Sequence, residues 1–197
     1  MKRTSLMTAF LVPVAGLSLS GCGVNSIPTA EEEAKARWAD VQNDYQRRSD
    51  LIPNLVETVR AAAAQERNVL REVTEARASA SRIQVTGDQL TDPQAMSRFA
   101  EAQSRLTLSL QRLQEAYPEL KSNRNFEMLQ DQLEGSENRV ARSRERYNTA
   151  VQSYNTTIRT FPAVIGAKVI YGAKPMVPYE ANAAAQSAPK VDFGNGQ

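Results

Sequence analysis

Residues 126–161, FEMLQDQLEGSENRVARSRERYNTAVQSYNTTIRTF, set the architecture of this chain. Every seventh position in this stretch is large and apolar or aromatic: Phe126, Leu133, Val140, Tyr147, Tyr154 and Phe161. Arg, Glu, Gln, Asn and Ser dominate the positions between them. One narrow apolar stripe on an otherwise polar helix is typical of a helix that packs against other helices. We therefore predict a helix of about 55 Å, which needs partner helices to cover its stripe.

The composition excludes several kinds of catalytic site. The 197 residues contain no His and a single Cys. This removes Ser-His-Asp triads, Cys-His nucleophiles and metal sites built from imidazole or thiolate groups. Gly and Pro are scarce before residue 160, which argues against a sheet-rich fold. We expect one all-α domain without metal, cofactor or catalytic residues.

The charge pattern gives no sign of nucleic-acid binding. The formal net charge is +2, but Lys2 and Arg3 lie in a segment that we expect to be cleaved. Without them, 22 of the 24 basic residues remain, equal in number to the 22 acidic residues. Both signs are interspersed along the helices, whereas a nucleic-acid binder usually shows a basic face or block. A solvated surface of mixed charge is the better interpretation.

The N-terminus has the layout of a secretory signal. Lys2 and Arg3 precede an apolar stretch over residues 6–19, which is too short and too interrupted for a good membrane span. It ends in Leu-Ser-Gly-Cys at residues 19–22, which resembles the bacterial lipoprotein box. We predict a cleaved signal peptide over residues 1–21 and lipidation of Cys22. The alternatives are an ordinary signal with an incidental cysteine, or an uncleaved anchor.

Lipidation at Cys22 would attach the protein to a membrane. Two or three acyl chains, palmitate among them, anchor a protein stably where one chain would not. Gly23 resembles the sorting pattern of outer-membrane lipoproteins, so we expect an outer-membrane protein that faces the periplasm. Residues 22–28 would form a short tether.

The body, residues 29–172, reads as an up-and-down antiparallel bundle of three to four long helices with coiled-coil-like packing. Helix A is predicted from Thr29 to Ile83, with Arg48 as a polar exception in its apolar stripe. Residues 85–93 form a loop, helix B runs to about Tyr117, and helix C doubles back after Pro118.

Pro53 supports two interpretations of helix A. The heptad phase of Trp38, Tyr45, Ile52 and Val59 continues through Pro53, which favours one kinked helix. A new helix with Pro53 in its first turn would match the lengths of the partner helices better. We favour a hinge at residues 49–52.

The C-terminal part changes character. Residues 163–172 form a short apolar segment with one charge. It is predicted to be a flap over one end of the bundle, with a surface for lipid or a partner as the alternative. Residues 173–197 are rich in Ala, Pro and Asn and are predicted to be disordered. Within them, Val191 and Phe193 form a candidate docking peptide.

Several motifs together resemble the LemA family over residues 35 to 193. The strongest is RRSDLIPNLVETV at residues 47–59. The others are VTEAR at 73–77, AYPELK at 116–121, LEGSENR at 133–139, RYN at 146–148, YN at 154–155, IRTFP at 158–162 and PKVDF at 189–193. The resemblance implies a membrane-attached helical bundle without an established enzymatic activity. Family members usually carry an N-terminal membrane helix, and the lipoprotein box is a departure from that pattern.

Three functions remain open. The first is a lipid-anchored, non-enzymatic scaffold or adaptor for an unidentified envelope protein, with contacts at Asp50, Leu51, Pro53, Asn54, Val191 and Phe193. The second is a carboxylate-based hydrolase using Glu57, Glu75, Glu134 or Glu137. The third is a holdase-type chaperone or a coiled-coil subunit of a transport assembly. For this function, Tyr154 and Phe161 would be stripe residues that the partner helices leave uncovered. Self-association would also cover that stripe. We favour the first.

Overall fold

The computed structural model describes residues 4–62 and 67–180, and within these ranges the chain is mostly helical and contains no β-strand. The main helices are α1 (Thr4–Ala62), α2 (Arg67–Arg82), α3 (Pro93–Ala116) and α4 (Arg124–Thr157). Short 3₁₀ helices, Gly87–Thr91 and Pro118–Ser122, precede α3 and α4. A last turn, α5 (Ala163–Gly166), continues into a π-helical turn at Ala167–Tyr171. The predicted all-α bundle is confirmed, with α1 packed against α4.

The helices form two compact units. Unit 1 consists of Met1–Tyr45, Gly87–Asp92 and Ser136–Pro178, and unit 2 of Gln46–Thr86, Pro93–Gly135 and Tyr179–Gln197. The side chain of Cys22 and residues 181–197, with Val191 and Phe193, lie outside the described part of the chain.

In unit 1, α1 and α4 run antiparallel. The rings of Trp38 and Tyr147 lie 5.0 Å apart between centroids. Seven residues further along α4, burial raises the pKa of the Tyr154 hydroxyl, and so does the nearby negative charge of Glu31, which lies seven residues before Trp38 on α1. One heptad toward the start of α1 therefore matches one heptad toward the end of α4. The predicted heptad stripe of α4 is buried from Phe126 through Tyr154.

Helix α1 begins earlier than predicted. We expected a tether at residues 22–28 and a helix start near Thr29, but α1 includes all of these residues. Ile27 and Ala34, seven residues apart, are both fully buried, so the apolar stripe already begins within the expected tether. Thr29 donates a hydrogen bond to the carbonyl of Asn25 inside the helix, at 2.9 Å, instead of capping a helix start. Burial of Ile27 is the physical reason for the difference.

The chain also reverses within the stretch that we predicted to be helical from the hinge to Ile83. α1 ends at Ala62, and α2 begins at Arg67. The hydroxyl oxygens of Ser49 and Ser81 lie 3.1 Å apart. In one straight helix these two residues would be separated by about 48 Å. Helix α2 must therefore run back along α1 within unit 2.

Unit 2 has one continuous apolar core. Its helical walls are the second half of α1, α2, α3 and the first half of α4, so four helical segments share it. The buried members are Ile52, Leu55, Val56, Val59, Leu70, Val73, Ala80, Ala102, Leu106, Leu110, Leu113, Tyr117, Leu120, Phe126, Leu129 and Leu133. The predicted turn at Pro118 is present, and Asn123 begins α4 by accepting hydrogen bonds from the backbone N–H groups of Asn125 and Phe126.

Pro53 lies inside α1, and the helix continues through it, so the favoured hinge at residues 49–52 was wrong. A proline has no N–H, which leaves the carbonyl four residues earlier without its helical donor. That carbonyl belongs to Ser49, and the Nε of Arg77 on α2 donates to it at 2.9 Å. The Arg77 side chain of α2 thus replaces the hydrogen bond that Pro53 removes. The apolar positions of α1 therefore keep their heptad spacing through Pro53.

Arg48, the polar exception in the predicted stripe, is 1% exposed. Its Nη2 donates to the hydroxyl of Thr107 on α3 at 2.9 Å, and that hydroxyl donates to the carbonyl of Gln103 at 3.1 Å. A buried charge is tolerated only where hydrogen bonds replace its hydration. Because Thr107 places the acceptor at one position along α3, this hydrogen bond favours a single register between α1 and α3 within unit 2.

We predict that Pro53 and Arg77 are energetically coupled. Arg77→Met keeps the apolar stem but removes the donor to Ser49, and should lower the free energy of unfolding by about 1–3 kcal/mol. In a Pro53→Ala background the backbone N–H returns, so the same substitution should cost about 1 kcal/mol less. Urea unfolding followed by circular dichroism would measure all four proteins.

Arg71→Met provides the matched control on the same helix. Arg71 is exposed and pairs with Glu75 across 3.8 Å of solvated surface, so its loss should change stability by less than about 0.5 kcal/mol. Equal costs of Arg77→Met with and without the Pro53→Ala substitution would contradict the coupling.

Candidate functional site

The first candidate surface is the exposed side of α1 around Pro53. Asp50, Pro53 and Asn54 are exposed, as predicted for a contact surface, while Leu51 is half-buried and packs on the core of unit 2. The carboxylate of Asp50 accepts a hydrogen bond from the amide of Gln46 at 2.7 Å. Three of the four α1 candidates thus share an exposed face, and Leu51 contributes mainly to stability.

The second candidate region lies in unit 1, where α4 holds an extended segment. The amide of Asn155 donates to the carbonyl of Met176 at 2.8 Å and accepts from its N–H at 2.9 Å. The hydroxyl of Tyr147 donates to the carbonyl of Val177 at 2.8 Å. The N–H of Val177 in turn donates to the carbonyl of Leu90 at 2.8 Å. These four hydrogen bonds, which we call the Asn155 clamp, fix the backbone of residues 176–177.

Because of this clamp, the disorder predicted from Ala173 onward is wrong for residues 173–180. Residues 173–180 follow a defined path, with Met176 and Tyr179 buried. In unit 2 the ring of Tyr179 meets Phe99 edge-on, with centroids 6.3 Å apart. The composition of the segment suggested disorder because it contains few apolar residues, but two buried side chains and satisfied backbone groups are enough to hold it.

A partial signal for the clamp is present in the sequence. Asn148 and Asn155 lie seven residues apart beside the tyrosines of the stripe, and we interpreted them as hydrogen-bonding groups that set the helix register. Asn155 is such a group, but it binds extended backbone instead of another helix. No local pattern in residues 173–178 identifies that partner.

The apolar segment after α4 is arranged with its small residues inward. Ala163, Gly166 and Ala167 are buried, while Phe161, Ile165 and Val169 are exposed. The predicted flap therefore makes contact through small side chains. Tyr154, the other stripe residue expected to be uncovered, is buried.

The carboxylates considered for catalysis lie on the helix surfaces. Glu57, Glu75 and Glu134 are exposed, and Glu137 is half-buried. In the described part of the chain, no three carboxylate or thiol groups come together as a metal site would require.

A groove of about 790 Å³ lies between α1 and α4 in unit 1. Its walls carry both signs of charge, from Glu33, Arg37, Arg142, Glu145 and Arg146. Arg37 already pairs with Glu33 at 2.7 Å and with Asp40 at 3.4 Å. These ion pairs are solvated, and a mixed-charge open groove does not select one kind of ligand.

We predict that Asn155→Leu releases residues 173–178 without unfolding α4. The substitution removes both bonds to Met176, so amide hydrogen exchange at Met176 and Val177 should become at least about tenfold faster. Asn138→Leu, an exposed position on the same helix, is the control and should leave the exchange unchanged. Unchanged protection in the Asn155 variant would show that the clamp does not hold the segment.

We also predict that stability falls at alkaline pH. Burial raises the pKa of the Tyr147 hydroxyl, and burial likewise raises the pKa of Tyr154. In the unfolded chain a tyrosine titrates near about pH 10. The unfolded state therefore loses protons first, so the stability from these groups is complete below about pH 10 and decreases above it. Urea unfolding at about pH 8 and about pH 10.5 would measure the decrease.

Tyr147→Phe isolates the contribution of one tyrosine to that decrease. The variant should be less stable by about 1 kcal/mol at neutral pH because the bond to Val177 is lost. Its stability should then change less with pH than that of the unmodified protein. An identical pH dependence would exclude Tyr147 as a contributor.

Comparison with known proteins agrees with this architecture. The family model described as LemA family matches residues 37–193. That range includes the exposed face at Pro53, the Arg77 bond and the Asn155 clamp. Comparison with curated proteins gives no match. Among the helices that the structure describes, none is both long and apolar enough to cross a membrane. Because the matched range covers most of the chain, the protein belongs to the LemA family.

Proposed function

We propose that this protein is a lipid-anchored, non-enzymatic scaffold of the bacterial cell envelope, in which Cys22 carries the lipid and the helical body recruits a partner protein. LemA family membership supports an envelope-associated, membrane-linked helical protein. The lipoprotein box before Cys22 supports the chemistry of the attachment. In this proposal the protein faces the periplasm, and its signal peptide over residues 1–21 is removed.

The observation that carries the scaffold role is the exposed face of α1 around Pro53. Ile52, Leu55 and Val56 are buried on one side of this helix, so its orientation in unit 2 is fixed. Asp50, Pro53 and Asn54 are on the opposite side and outside that packing. Because this helix face is already rigid, little conformational entropy is lost when it binds. The free-energy cost of forming a complex is therefore smaller.

The polar side chains of this face favour a protein partner with a polar contact surface. It offers a carboxylate, an amide and the flat ring of Pro53, without a cluster of cations or a concave apolar pocket. The tail residues Val191 and Phe193 remain a second proposed contact. Partner contact through either segment does not require catalysis.

A holdase-type chaperone is the second candidate. Phe161 is 79% exposed, together with neighbouring Ile165 and Val169. An apolar surface of this kind is what a chaperone needs to hold unfolded chains. A coiled-coil subunit of a transport assembly would instead need a long uncovered stripe, and Tyr154, the stripe residue named for it, is buried.

We predict that a photo-crosslinking residue replacing Asn54 captures one recurrent envelope protein in intact cells. The same residue at Gln111, an exposed position on α3, is the matched control and should not capture that protein. In a Cys22→Ser variant the capture should be lost and incorporation of labelled palmitate should disappear. Mass spectrometry of the crosslinked products gives the result.

Three other outcomes would change the proposal. Capture of many unrelated unfolded proteins would replace the scaffold with the chaperone. Capture of only its own copies would indicate a self-assembling scaffold. Palmitate incorporation that is unaffected by Cys22→Ser would reject the anchor, whatever the crosslinks show.

A further inference from the structure

The end of unit 1 carries an exposed apolar surface, which we call the terminal apolar face. It consists of Phe161, Ile165, Val169, Ile170 and Tyr171, which are between 43% and 79% exposed. In the described part of the chain, the other large apolar side chains with such exposure are Leu108 and Met128, which are isolated in sequence. Scattered apolar residues are normal on a protein surface, but five within eleven residues form a patch that points to a binding surface.

The backbone of α5 and the following π-helical turn creates this face. Ala163, Gly166 and Ala167 lie on the buried side, and their small size allows the segment to pack closely in unit 1. The large side chains then have no place inward and extend outward. Exposure of the patch is therefore a consequence of how the segment packs.

The charges of the segment that carries the terminal apolar face have one sign. Between Glu145 and Glu180 the sequence contains no carboxylate. The cations within or beside this segment in sequence are Arg159, Lys168 and Lys174, all of them exposed. Large apolar side chains with a tyrosine and flanking lysines are the combination that inserts into the interface of an anionic bilayer.

The register of unit 1 places this face beside the N-terminal part of α1. Trp38 meets Tyr147, and Tyr154 is under the influence of Glu31. Helix α4 ends at Thr157, and the terminal apolar face follows it, at the end of unit 1 toward which the N-terminal part of α1 lies. Cys22, where we propose the lipid anchor, belongs to that part of α1, so both would meet the membrane at the same end of unit 1.

The geometry points to a second membrane contact: the terminal apolar face inserts shallowly into a bilayer with anionic headgroups, while Arg159, Lys168 and Lys174 bind the headgroups. This inference deepens the proposed function and rests on it for the position of the anchor. A second copy of the chain fits the face less well, because a symmetric pair would bring two sets of cations together without a carboxylate between them.

Depth-dependent fluorescence quenching tests this contact on the full chain. In a Cys22→Ser background, which removes the lipid, Val169→Cys is labelled with an environment-sensitive fluorophore. The same label at Leu108→Cys, an exposed apolar position in unit 2, is the matched control. Vesicles contain lipids brominated at shallow acyl positions, either with about one-third phosphatidylglycerol or with phosphatidylcholine alone.

We expect the label at position 169 to be quenched on anionic vesicles and the label at position 108 to remain unquenched. Lys168→Gln and Lys174→Gln should each weaken the interaction that produces quenching by about fivefold, since each cation contributes separately to headgroup binding. Ile165→Asn should also weaken it by about tenfold, and Leu108→Asn should not.

The remaining outcomes overturn the inference. Absence of quenching at position 169 while the chain sediments with the vesicles would show that the face stays in water. Equal quenching on neutral vesicles would remove the role of the cations. A change in fluorescence that depends on protein concentration without lipid would assign the face to a second copy. Because Cys22 is absent from every sample, these results do not depend on whether Cys22 is lipidated in cells.

Discussion

The continuity of α1 in unit 2 depends on the replacement of one missing hydrogen bond. A proline inside a helix leaves a carbonyl without its donor, and the usual result is a kink or a break. In α1 the carbonyl of Ser49 receives its bond from Arg77, a residue of the helix that runs back alongside. Because the carbonyl is satisfied, α1 passes through Pro53 and its apolar positions stay in phase from Ile27 to Val59. The same bond joins two of the motifs by which the sequence resembles the LemA family, residues 47–59 and 73–77, so these motifs act as one structural unit.

Polar groups elsewhere have the same role of choosing one arrangement among several. Apolar stripes pack in more than one register, since leucines and valines are interchangeable as neighbours. A buried arginine such as Arg48 cannot exchange neighbours in this way, because it needs a hydrogen-bond acceptor at one position along the facing helix. Thr107 supplies that acceptor. Asn155 does the same for an extended segment by matching both the donor and the acceptor of Met176. In each unit, therefore, apolar burial supplies most of the stabilisation, and a few hydrogen bonds select the geometry.

The interior of this LemA family protein consists mainly of packed apolar side chains in the described part of the chain. The buried positions of the described helices are apolar side chains with a few hydrogen-bonded polar ones, and the carboxylates considered for chemistry lie on helix surfaces. Two exposed features differ in kind: a polar face around Pro53, for which we propose a protein partner, and an apolar face with cations near Phe161, for which we propose contact with lipid. Because the two faces consist of different residues, substitutions can alter one face without changing the other.

Local signals in the chain are enough to predict the helical class, the heptad stripe of α4, the turn at Pro118 and the family, because periodicity and turn residues are read from neighbouring positions. They are not enough to predict where helix A ends. Helix α1 ends at Ala62, within the run of four alanines at residues 61–64, and alanine is a strong helix former that gives no stop signal. The heptad phase left both interpretations of Pro53 open, Asn155 gave only a partial signal for the order of residues 173–180, and no local pattern predicts the outward direction of Phe161. In each case the outcome depends on a partner group, Arg77, Asn155 or the close packing of Ala163 and Ala167, which comes into place when the chain folds.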